Sequence, residues 1–355
     1  MEEDLLAEAE AQLPDVDGVS VDLLQAEGLP WLDAANRLIE RSAALVAYER
    51  EQHAELSPST QYRQALRTSS LLRMFVRALG VRRERPENRS ANGQDAIDWE
   101  SEALAGIFWT GHLVAGEILA LLEAGFAVGA LARWRALREL NIRATLLRHG
   151  GETVAVRFVE HEQWKERKQE RLLHAHARQL QALHLSKETV QAWSALDEQL
   201  HERYGDEFFG DWGWAQEVMV AMDPAYARAV RRGTRPRGPR FTDVTRAVEE
   251  SSPLRASREA SYDDASSAVH GSPRSAMEEH GPLREIRRNP SPQNLAFVGM
   301  NSAYDLASLA RAYVDSDAAD ERTRRLTMLL DALAFVTEDA WQASWEDDVA
   351  AAPDP

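Results

Sequence analysis

Apolar residues along this chain recur at intervals of three and four, and strict apolar–polar alternation is almost absent, so the pattern predicts helices and no strands. Leu23 to Glu55 reads as one or two helices carrying Trp31, Leu38, Leu45 and Tyr48 on an apolar stripe. Ser57-Pro58-Ser59 interrupts the stripe, and Ser59 is placed to cap a helix running to Leu79. The polar run Gly80 to Gln94 reads as an exposed loop. A long helix is expected from about Asp98 to Ala124, stopped by Gly125. A second should run from about Ala127 to Arg148 and end at His149-Gly150-Gly151. The short turn between the two makes them an antiparallel αα-hairpin.

Thr153 to Leu183 reads as a third long helix, and Ser186, with Glu188 behind it, opens another that reaches Tyr204. Tyr204 to Trp214 holds three glycines and five aromatics and is expected to be an ordered loop. Arg228 to Arg240 has six arginines and no acid, and reads as a mobile basic loop. Ser252 to His270 is again helical, with Pro253 in its first turn. Two closing helices follow the Asn289-Pro290-Ser291-Pro292 break, at about Gln293–Val314 and Ala318–Ser344. The fold class is all-α, a multi-helix bundle built on long antiparallel helical hairpins. The expected organisation is an N-terminal helical region over 1–97, a central helical domain over 98–285 and a C-terminal helical hairpin with an acidic tail over 286–355.

Composition narrows the class. With 355 residues and 44% of them hydrophobic, the chain can bury a sizeable core. The absence of cysteine excludes a disulfide scaffold, a thiolate metal site and a cysteine nucleophile, and fits a reducing compartment. The acidic start lacks the basic and apolar regions of a signal peptide, and the apolar stretch Ile118–Ala132 is shorter than a membrane span. The expectation is a soluble cytoplasmic protein with no membrane partner. The net charge of −17 is carried by the ends: residues 1–30 hold nine acids and no base, and residues from Tyr313 onward hold eleven acids and three arginines. Residues 31–312 balance at 38 charges of each sign, so net charge gives no support to nucleic-acid binding. Arginine outnumbers lysine 38 to 3, which with the many alanines reflects a GC-rich genome.

Chemistry-bearing motifs are sparse. No Walker loop, dinucleotide glycine fingerprint, HExxH or nucleophile elbow occurs, and no metal or cofactor is predicted. One E-x-x-H, Glu198 to His201, lacks the second copy that a di-iron bundle needs. The Arg-x(4–6)-His pattern of HEPN-type ribonucleases occurs five times, as chance supplies in so arginine-rich a chain. More telling are polar stripes at i, i+4 spacing: Arg135 with Glu139, Arg157 with His161, and Tyr262 with Ser266 and His270. A hydroxyl one turn from an imidazole can fix its tautomer and leave the other nitrogen for a ligand, or the groups can satisfy one another internally. Trp212 and Trp214 read as core anchors, with a base-stacking platform as the alternative.

Three segments in order resemble one bacterial family. These are Ala132–Lys168, with its W-R-x-L-x-E-L, H-G and R-[YF]-x-x-H steps, Arg203–Ala215, with Y-G-x-x-F-x-x-D-[YW]-G-W-A, and Ser261–Pro273, with Y-x-x-A-S-x-x-V-H. The family is domain-of-unknown-function family 5677, and the resemblance spans roughly Glu100 to Pro273. The positions that match are Arg135, Glu139, Arg157, His161, Tyr204, Gly205, Asp211, Gly213, Trp214, Tyr262, Ser266 and His270. Arg138 stands where the pattern often has His, and Asp263 and Asp264 follow Tyr262 where a base is usual. The family has no agreed activity, so the resemblance indicates where to look.

Two functions follow from these residues. In the first, the chain is a helical interaction or structural module with a buried polar network, whose partner is another protein or a second copy. In the second, Glu139, His161, Ser266 and His270 form a catalytic cleft, with Arg135 and Arg157 holding an anion, as in a HEPN-like ribonuclease or a toxin or defence phosphodiesterase. There His270 is general base oriented by Ser266, His161 is the acid, and Tyr204, Asp211, Trp214 and Tyr262 are structural. Small-anion sensing through the arginine pair is a third reading. The sequence alone leaves open whether the chain is an enzyme.

Overall fold

The structure is a computed structural model that describes residues 29–41, 62–84, 97–175, 185–234, 238–249, 292–314 and 321–351. Among these residues there are ten α-helices and no strand, as the apolar periodicity predicts. They are α1 (Leu29–Arg41), α2 (Arg63–Arg83), α3 (Trp99–Glu123), α4 (Ala127–Ala175), α5 (Lys187–Tyr204), α6 (Gln216–Met222), α7 (Pro224–Arg231), α8 (Phe241–Glu249), α9 (Pro292–Val314) and α10 (Glu321–Ala351). Two 3₁₀ turns, Asp206–Phe209 and Gly213–Ala215, lie between α5 and α6.

Helix ends follow local capping chemistry. Asp98 accepts from the Ser101 amide at 3.0 Å and from its hydroxyl at 2.7 Å, opening α3 where the sequence places it. Ser186 accepts from the Thr189 amide at 3.1 Å and opens α5. The expected stop at Gly150-Gly151 is instead a kink. α4 continues to Ala175, with Gly151 alone outside helical geometry at φ 61° and ψ −157°. Only glycine occupies that region at low cost. The next residue, Glu152, turns back to cap α3: its carboxylate accepts from the Trp99 amide at 3.2 Å and the Glu100 amide at 2.9 Å.

The start of the basic segment also departs from expectation, while the described residues after Arg232 and before Phe241 are non-helical. Arg228 and Arg231 belong to α7, which Asp223 caps by accepting from the Ala225 and Tyr226 amides at 2.7 and 3.0 Å, with Pro224 in the first turn. That cap and proline outweigh the arginine-rich composition that reads as a loop. The helix expected over Ser252 to His270 lies outside the described residues.

The chain divides into two compact units. The first holds α1, α2, α3 from Gly106, α4 to Ala144, α9 and α10. There α9 packs on α10 and α2, and α10 packs also on α1 and α2. Its core includes Leu38, Leu66, Phe75, Phe108, Trp134, Leu309 and Trp341. Within this apolar packing sits a polar knot: the fully buried Asp305 accepts from Trp134 Nε1 and from Asn141 Nδ2, each at 2.8 Å. Arg138, also buried, lies 5.7 Å from the Trp134 ring. α3 is long and apolar enough to cross a membrane by composition, and 44% of its most apolar window is buried inside the protein.

The second unit holds the start of α3, α4 from Thr145, and α5 to α8. An ion pair between Arg148 and Glu100 joins α4 to the first turn of α3 beside the kink.

His112 on α3 is a buried imidazole of the first unit, 7% exposed, with Trp109 edge-on at 5.9 Å. Its Nε2 has no hydrogen-bond partner. Burial, reinforced by the charges of Arg73 and Arg77, pushes its pKa down to about 4. The unfolded chain therefore takes up a proton below about pH 6.5 that the folded chain refuses. The stability this neutral imidazole confers is complete above that pH and is lost as pH falls towards 4, in all about 3 kcal/mol. Urea unfolding of wild type and His112→Gln from neutral pH down to pH 4 checks this: the variant's stability should fall less steeply. Equal slopes would mean that His112 does not drive the acid sensitivity. Gly151→Ala should destabilise by about 1–3 kcal/mol in the same assay, because alanine resists that backbone conformation.

Candidate functional site

The residues with matching positions in the second unit gather around one face of α4 beyond the kink. Arg157 and His161 are one turn apart there and meet the Gly205–Ala215 segment, which wraps across them. Arg157, 4% exposed, donates from Nη2 to the Gly213 carbonyl at 3.1 Å and from Nη1 to Glu217 Oε1 at 2.9 Å. Its guanidinium carbon stands 4.7 Å from the Tyr204 ring centroid and 5.7 Å from that of Phe208. His161, fully buried, lies 2.9 Å from the Gly210 carbonyl through Nε2. A carbonyl only accepts, so Nε2 carries the hydrogen, and in the neutral ring Nδ1 presents a lone pair. No hydrogen-bond partner meets Nδ1, and the nearest carboxylate oxygen, Glu162 Oε1, is 3.8 Å away.

Aromatic rings close the arrangement. Tyr204 stacks on Phe208 at 4.8 Å, Phe208 meets His161 edge-on at 5.3 Å, and Phe158 meets Trp214 edge-on at 4.9 Å. The Tyr204 hydroxyl donates to Glu160 Oε2 at 2.6 Å, and Arg203 reaches the other oxygen at 2.7 Å. Burial, with the Glu160 carboxylate beside it, pushes the Tyr204 phenol above its ordinary pKa. Trp212 and Trp214 are 6% and 1% exposed, so both are core anchors and offer no stacking face. Asp211 is exposed. Gly213 must be glycine for a steric reason: a Cβ there would lie 2.2 Å from the Glu207 carbonyl oxygen and 2.3 Å from that of Phe208.

The other expected site residues fall elsewhere. Arg135 and Glu139 lie in the first unit and pair with each other at 3.2 Å, each 27% exposed. Tyr262, Ser266 and His270 lie outside the described residues. Glu198 and His201 share α5, where His201 pairs with Asp206 at 3.3 Å. A small recess of about 30 Å³ in the first unit is lined by Leu72, Arg73, Ile118, Leu122, Ser302 and Leu306 among others, and by none of the expected site residues. Among the described residues, no three His, Asp or Glu side chains are grouped to hold a metal.

Glu217 and the carbonyls of Gly210 and Gly213 are the partners that sequence reasoning did not name. The carbonyls have no side-chain signal at all. Glu217 is separated from Arg157 by 60 residues, and only the glycines that let the turn approach the helix hint at it.

Residues 102–285, just over half of the chain, match a family of unknown function, DUF5677. The chain belongs to DUF5677. The match covers the clamp around Arg157 and His161 and agrees with the resemblance read from the three ordered motifs. No curated protein and no solved structure matches the chain.

In this DUF5677 chain, Gly213→Ala should lower the unfolding free energy by about 1–3 kcal/mol, because the methyl group meets backbone that cannot swing aside. Chemical denaturation measures it, and a neutral result would show that the turn packs less closely against itself.

Proposed function

We propose that this DUF5677 chain is a non-enzymatic helical interaction module, whose motif residues build the scaffold that presents a binding surface. The observation that supports this reading is how the chemistry-bearing side chains are used. Both terminal nitrogens of Arg157, and Nε2 of His161, are engaged by Gly213, Glu217 and Gly210 of the same unit. A guanidinium that serves an incoming anion keeps donors directed at open space, and a general acid must reach its substrate. Arg157 and His161 instead give a second hydrogen bond to carbonyls that also accept the Gly213 and Gln216 amides. The buried knot of Trp134, Asn141 and Asp305 repeats this usage in the first unit.

The test separates stability from turnover. Arg157→Met removes two charge-assisted hydrogen bonds, although the Gly213 carbonyl keeps the Gln216 amide and Glu217, 55% exposed, is free to rehydrate, so the loss should be about 1–3 kcal/mol. Asp305→Ala strands two buried donors and should cost at least as much, about 1–3 kcal/mol for each. Both should appear as lowered urea midpoints. Purified wild-type chain should not cleave RNA or DNA. Cleavage that disappears in His270→Ala at unchanged stability would replace the module with a phosphodiesterase.

A further inference from the structure

The second unit carries a cationic surface that plays no part in the clamp. Arg228 and Arg231 on α7 and Arg232 at its C-cap are spaced i, i+3 and i+4, and the cap keeps near-helical geometry, which places them on one stripe. All three are exposed, while Tyr226, about half a turn round the helix, is buried. Arg240, also exposed, stands immediately before α8. α7 and α8 both pack on α6.

No hydrogen bond or ion pair joins these four guanidinium groups to any described residue. The nearest acids in the sequence are occupied elsewhere. Asp223 caps α7 and pairs with Arg246 at 3.3 Å, and Asp243 accepts from the Arg240 amide at 3.0 Å and also pairs with Arg246. Burial pushes the Asp223 carboxyl up, but the Tyr226 and Ala225 amides and the Arg246 charge outweigh it and hold the pKa below the usual value. That carboxylate is thus firmly ionised and committed. From Pro224 to Thr242 the sequence holds no acid at all.

Two alternatives explain less. Cations in the last turn of α7 suit the helix dipole, but Arg240 sits at the N-terminal end of α8, where the dipole disfavours a cation. Protein-binding surfaces have an apolar core, yet no large exposed hydrophobic lies between residues 224 and 249. Interfaces with nucleic acid are far more positive and draw most of their affinity from phosphates.

We propose that Arg228, Arg231, Arg232 and Arg240 bind the phosphate backbone of a nucleic acid without reading its sequence. This names a partner for the interaction module and rests on that reading for the absence of chemistry on the bound strand. The balanced charge of residues 31–312 permits it, because at physiological salt screening confines the repulsion from acidic segments to about 8 Å.

Fluorescence anisotropy with the full chain tests it, using labelled single-stranded RNA of about 20 nucleotides and a duplex DNA of equal length, from about 50 to about 200 mM salt. Wild type should bind both probes at low salt, with a log–log salt slope of about −3. Replacing three residues together, Arg228→Gln, Arg231→Gln and Arg232→Gln, should weaken binding at least about tenfold and flatten the slope by about 2. The melting temperature should stay unchanged, because the three side chains are exposed. The matching Lys triple should retain the slope. No binding at low salt, or equal binding by the Gln triple, overturns the proposal and leaves the module standing. Tighter binding of a polyglutamate peptide than of either probe also overturns it, in favour of an acidic protein partner. A probe that is bound and then shortened supports the surface and overturns the non-enzymatic reading.

Discussion

A backbone carbonyl can accept two hydrogen bonds, and in this protein the second acceptor site of two turn carbonyls is filled from a helix laid underneath. The Gly205–Ala215 segment folds into two 3₁₀ turns, and the carbonyls of Gly210 and Gly213 point at α4. The Gly213 and Gln216 amides fill one acceptor site on each carbonyl, so a helix beneath can hold the turn through donors aimed at the second. Arg157 and His161 supply them at one-turn spacing. The aromatic groups then exclude water and strengthen the polar contacts they surround. Remove the donors, and the turn keeps its own amide hydrogen bonds but loses its polar attachment to α4.

That constraint explains why the motif mixes residue types that look catalytic with residue types that look structural. Arginine, histidine and glutamate are used for their fixed donors and acceptors. Tyr204, Phe208 and Trp214 form the walls, and Gly213 is where two backbone strands come too close for a Cβ. Glu217 is the exposed end of the system. By pairing with a buried guanidinium at 2.9 Å it places the neutralising charge near water, where desolvation is smaller than for a wholly buried pair.

The parts of this architecture legible in sequence are the local ones. Asp98 and Ser186 cap helices where side-chain chemistry says they should, because capping involves only three or four consecutive residues. The i, i+4 pairing of Arg157 with His161 was legible as a shared face for the same reason. What that face meets was not, since its partners are backbone atoms about fifty residues away. Asp305 is harder still: it is 171 residues from Trp134 and 164 from Asn141, and nothing in its local pattern marks it as buried. Two glycines in a row read as a helix stop at Gly151, yet one residue of unusual backbone geometry is enough to bend a helix and let it resume. Six arginines read as loop, and the Asp223-Pro224 cap shows that a short segment's start signal decides more than its composition.

The two sets of arginine in the second unit show how position, not residue type, assigns a role. Arg157 is enclosed by aromatic rings and held by a carbonyl and a carboxylate, so its charge is neutralised locally and projects little field. The α7 arginines face outward, with the nearby carboxylates already claimed by Arg246 and by backbone amides. Their guanidinium groups therefore meet solvent without a direct ion pair among the described residues. A fold that spends its buried charges on its own carbonyls can still keep a surface charged, provided the acids beside that surface are tied down. Asp223 serves both ends, starting the helix that carries the cations and pairing directly with Arg246 instead of with them.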